Sequence, residues 1–63
     1  MYKDVLRAID FEYETLRGNL NRMCVTDSRE ELQDRFGYVV GNVLTLRSLN
    51  MQRLAEKRME SRK

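Results

Sequence analysis

The sequence predicts an all-α protein: an antiparallel two-helix hairpin, completed into a helical bundle by oligomerisation. Three observations lead there. Apolar residues recur at helical spacing along two long stretches. A short break with helix-starting chemistry separates the stretches, and proline is absent from all 63 residues.

The first stretch is the more regular. Tyr2, Leu6, Ile9, Tyr13, Leu16, Leu20 and Met23 alternate spacings of four and three, the seam of a helix packed along one side. Asp4, Arg7, Asp10, Glu12, Glu14 and Arg17 lie between them, as a solvated side requires. The spacing predicts a first helix over about residues 3–23. Gly18 interrupts it at a cost of about 1 kcal/mol against alanine, but the seam continues through Leu20 and Met23, so the helix is expected to run on.

The break falls at residues 24–27. Ser28 followed by Glu31 is a capping box, and Asp27 with Glu30 offers the same chemistry one residue earlier. Acidic side chains over the next two turns suit the positive pole of a helix dipole. A second helix is expected over about residues 28–59, with a frayed basic tail at 60–63. A turn this short makes the two helices antiparallel neighbours in a single domain spanning 1–63.

Leu32, Phe36, Val39, Val43, Leu46 and Leu54 form the main stripe of the second helix, and Val40, Leu44 and Met51 widen it. The apolar arc spans about 160° at 100° per residue, wider than one neighbouring helix covers, which implies a second contact. Phe11, outside the heptad seam and flanked by Ala8, Thr15 and Gly18, is a knob for another helix. Phe11, Val40, Leu44, Met51 and Leu54 are therefore the candidate oligomer or partner interface. Gly37 and Gly41, four residues apart inside a helix, point to close packing.

Size points the same way. A chain of 63 residues buries only about 60% of its unfolded surface and needs a supplement. Cys24 is the single cysteine and histidine is absent, so an internal disulfide is excluded and a histidine-based metal site with it. Cys24 at the turn is expected to be a small half-buried hydrophobe. A homo-oligomer, with a dimer favoured, or a helical protein partner is the expected remedy. The lone cysteine and the lack of an apolar run behind Met1-Tyr2-Lys3-Asp4 fit a cytoplasmic protein without a signal peptide. No stretch approaches the apolar length of a membrane span.

The sequence offers no chemistry for an enzyme. No serine or cysteine sits in a nucleophile motif, and Asp10, Glu12 and Glu14 alternate, so a helix spreads them around its axis. No cofactor, metal or catalytic residue is expected. The expected function is that of a non-enzymatic protein-interaction module or small regulator. It would self-associate or bind a partner through the apolar flank of the second helix. The alternative is a dimeric nucleic-acid-binding hairpin. Pairing outward from the turn would end the first helix opposite about residue 49, so that the basic end of the second projects. Arg47, Arg53, Lys57, Arg58, Arg62 and Lys63 would then meet phosphates. A net charge of +2 and the lack of aromatic residues after Tyr38 weigh against that alternative. Arg47 and Asn50 interrupt the apolar arc, and Asn50 is expected to set register in a bundle.

Overall fold

A computed structural model of the chain describes residues 2–61. Among the described residues the chain is all-helical, with α1 over Tyr2–Val25 and α2 over Arg29–Ser61. The two helices pack side by side as an antiparallel hairpin, a thin rod of 53 × 14 × 12 Å. α1 passes through Gly18 without a break and extends one residue before and two after the limits expected from the periodicity, while α2 begins one residue later than expected and ends two residues later. Arg62 and Lys63 lie outside the described residues.

The start of α2 is fixed by local hydrogen bonds. The Glu31 amide donates to Ser28 Oγ at 3.2 Å, so Ser28 is the N-cap. In a capping box the glutamate would reach back to the Ser28 amide. Here Thr26 stands between them: the Ser28 amide donates to Thr26 Oγ1 at 3.1 Å, and that hydroxyl donates to Glu31 Oε2 at 3.0 Å. The Thr26 amide in turn donates to the Arg22 carbonyl at 3.1 Å, closing the last turn of α1. One threonine thus ties the end of one helix to the start of the next.

The line of contact between the helices differs from the expected seam. On α1 the covered positions are Tyr2, Val5, Ala8, Ile9, Glu12, Leu16, Asn19 and Met23. Spacings of three and four recur, but Val5, Glu12 and Asn19 take the places expected for Leu6, Tyr13 and Leu20, which are exposed. On α2 the covered positions are Glu31, Arg35, Val39, Asn42, Leu46, Leu49, Arg53 and Glu56. Val5, at 4% exposure, is the one buried apolar side chain among the described residues. Glu12, placed on the solvated side by its charge, lies in the contact because it accepts a hydrogen bond from Asn42.

Three further expectations are corrected. Tyr2 lies beside Glu56, Met59 and Glu60, so α1 reaches almost to the end of α2 rather than stopping opposite residue 49. Cys24 is exposed rather than half-buried. A Cβ added at Gly37 or Gly41 would meet nothing within 4 Å, so the hairpin itself makes no close approach there.

Candidate interaction surface

The floor of the surface is polar at its centre. Arg35 donates from its guanidinium to Asn19 Oδ1 at 3.2 Å, Asn19 Nδ2 donates to Asn42 Oδ1 at 2.8 Å, and Asn42 Nδ2 donates to Glu12 Oε1 at 3.0 Å. The relay crosses between the helices at each step. Asn42 is buried at 8% exposure, and each amide group in the relay both donates and accepts. A buried amide satisfied in this way fixes one register, because a slip leaves its donors and acceptors unpaired. Asn42, not Asn50, holds that position in the hairpin. Arg35 also lies over the Tyr38 ring, 5.5 Å from its centroid.

This relay decides which way the apolar stripes turn. With Glu12 and Asn42 taken as the directions in which the helices face each other, 100° per residue puts the α1 stripe centred about 70° round the helix. The α2 stripe of Leu32, Phe36, Val39, Val43, Leu46 and Leu54 is centred about 90° round. In an antiparallel pair both rotations lead to the same side of the rod. The result is one apolar face, walled by Leu6, Tyr13 and Leu20 from α1 and by Leu32, Phe36, Val43 and Leu54 from α2, all exposed. Part of it is a groove of about 330 Å³ lined by Leu6, Ile9, Tyr13, Leu46, Asn50 and Arg53. Arg53 Nε donates to Asn50 Oδ1 at 2.9 Å, so two polar groups in the groove satisfy each other.

The five residues expected at the interface are all exposed, but they do not share one surface. Leu54 belongs to the grooved face, with Val40 at its α2 rim. Leu44 and Met51 project from the side of α2 turned away from α1. Phe11 lies on the opposite face of the hairpin, where Thr15 bonds back to the Phe11 carbonyl at 3.1 Å. Leu6, Tyr13, Leu20, Phe36 and Val43 form the larger part of the exposed apolar face. Their periodicity is plain in the sequence; what the periodicity lacks is the rotation of each helix about its axis.

The basic residues are dispersed. Arg53 is half-buried between the helices, Lys57 lies near the open end, and Arg47 and Arg58 are exposed on the outer side of α2. Arg62 and Lys63 fall outside the described residues. At 100° per residue Arg47 and Arg58 share the outer edge of α2, which borders the apolar face, together with Arg29, whereas Arg53 and Lys57 point elsewhere. Among the described residues there is no group of three or more metal-ligating side chains, and no helix is long and apolar enough to cross a membrane. No protein-family model, curated protein or solved structure matches the chain.

Proposed function

We propose that this chain is a non-enzymatic protein-interaction module whose recognition surface is the apolar face shared by α1 and α2. The observation that carries this is the common rotation of both stripes. A helix stripe turned away from its only neighbour leaves apolar area in water, and an exposed patch of this kind marks a binding surface. The face offers aromatic anchors, Tyr13 and Phe36, among aliphatic walls, a composition that favours burial against another helix. Arg53 and Lys57 lie apart from the outer row of Arg29, Arg47 and Arg58, so the basic end of α2 does not gather its cations on one surface as a phosphate-binding role needs.

The test is a photo-crosslinking residue placed at Tyr13 in the full chain in cells, with Thr45 on the far face as the control position. A protein adduct from Tyr13 well above the yield from Thr45 is the expected result. Equal yields from the two positions, or adducts to nucleic acid alone, would refute the proposal.

A further inference from the structure

We infer that the occupant of the apolar face is a second copy of this chain, packed face to face with both turns at the same end. This rests on the interaction-module proposal above and names its partner.

The first argument is surface area. The hairpin exposes 5441 Å², whereas a compact protein of 7.6 kDa exposes about 4,300 Å². A compact dimer of twice that mass exposes about 7,100 Å². Two hairpins of 5441 Å² each would therefore lose about 3,800 Å² in total on reaching that value, within the range of obligate homodimers. The rod is one helix thick, and a second layer of the same thickness gives every helix two neighbours. In such a square bundle the core lies about 45° round from the first neighbour and the second layer about 90° round, and the apolar stripes, at about 70° and 90°, face that layer.

The second argument is charge, and it selects the orientation. Ile9 and Leu46 line the same stretch of groove, so Asp10 and Arg47 lie at one level on opposite rims of the face. A two-fold axis along the rod lays α1 of each copy over α2 of the other. Asp10 of each copy then meets Arg47 of its mate, twice per dimer. The reverse arrangement, with turns at opposite ends, lays α2 over α2 and gathers Arg29, Arg47 and Arg58 of both copies along one rim. It permits Asp10 to meet Arg17 on the other rim, but the row of like charges opposes it.

Light scattering of the purified full chain is expected to give twice 7.6 kDa. A spin label on Cys24, which is exposed near the turn, reports the orientation once the labelled protein has shown the same mass. Turns at the same end place the two labels about 15–25 Å apart, and turns at opposite ends about 30–40 Å. Arg47→Glu is expected to raise the dimer Kd roughly tenfold, with Asp10→Arg/Arg47→Glu returning it to within roughly threefold. The reverse arrangement makes the opposite forecast, since Arg47→Glu relieves its row of cations and tightens the dimer.

A long distance between labels, or tightening by Arg47→Glu, overturns the inferred orientation and with it this dimer. A monomeric mass overturns the second copy as occupant. Protein adducts from Tyr13 would then still support a module with a different partner, while their absence would remove both proposals.

Discussion

Asn42 illustrates how much one residue can decide in a chain with so little core. Its amide accepts from Asn19 and donates to Glu12, and both partners are half-buried. Asn42→Ala would leave those groups unsatisfied, and the expected cost is about 1–3 kcal/mol, read by urea denaturation at fixed protein concentration. An unchanged midpoint would mean that water replaces the amide without penalty. Ser28 acts more locally. It caps α2 through the Glu31 amide, so Ser28→Ala is expected to cost about 1 kcal/mol in the same measurement. Its exposure means that no packing effect should add to that figure.

At the scale of the element, the glycines separate helix propensity from packing. Gly18, Gly37 and Gly41 all lie inside helices, and a Cβ at any of them would meet open space. Alanine is a better helix former by about 0.8–1.0 kcal/mol per site. Gly37→Ala and Gly41→Ala are therefore each expected to raise stability by about that amount, and Gly18→Ala likewise, with no change in mass by light scattering. None of the three glycines falls on the grooved face at 100° per residue, so the inferred dimer tolerates all three changes. Destabilisation by Gly37→Ala or Gly41→Ala would instead reveal a close helix approach through the small-residue strip. The two helices also differ in how their stripes are bounded. That of α1 is narrow and strictly heptad, while that of α2 spreads to Leu44 and Met51 on its outer side, where neither α1 nor the inferred second copy covers them.

At the scale of the whole molecule, stability and association should be inseparable. A rod that buries one apolar side chain among its described residues has little to offset the entropy of ordering. Its thermal midpoint is expected to rise with protein concentration, as for any fold stabilised by a bound subunit. Phe36→Asp or Val43→Asp, on the apolar face, should abolish that dependence and lower the midpoint together. Leu44→Asp, on the outer side, should leave the concentration dependence in place. Fluorescence anisotropy against duplex DNA and structured RNA is expected to show no binding near physiological salt. Tight binding that weakens steeply with salt would instead make the cations of α2 functional.

The amino-acid sequence by itself determined the local features, because their causes lie within a few residues. Periodicity defined two helices, Ser28 and Glu31 marked the second helix start, and the heptad positions of α1 identified an apolar stripe. Short-range hydrogen bonding and side-chain spacing are sufficient for each. The tertiary structure decided how far each helix turns about its axis, and so which residues meet and which are left in water. That choice depends on Asn19, Asn42, Glu12 and Arg35, which finds its place 16 residues along the chain from Asn19. Charge and polarity alone put Glu12 among the solvated residues and make Asn50 the register asparagine. Only the antiparallel pairing brings the relay together, since a hydrogen bond between residues 23 or 30 positions apart leaves no trace in local spacing. Once the relay occupies the line of contact, the stripes must turn aside, and the apolar face follows from that rotation.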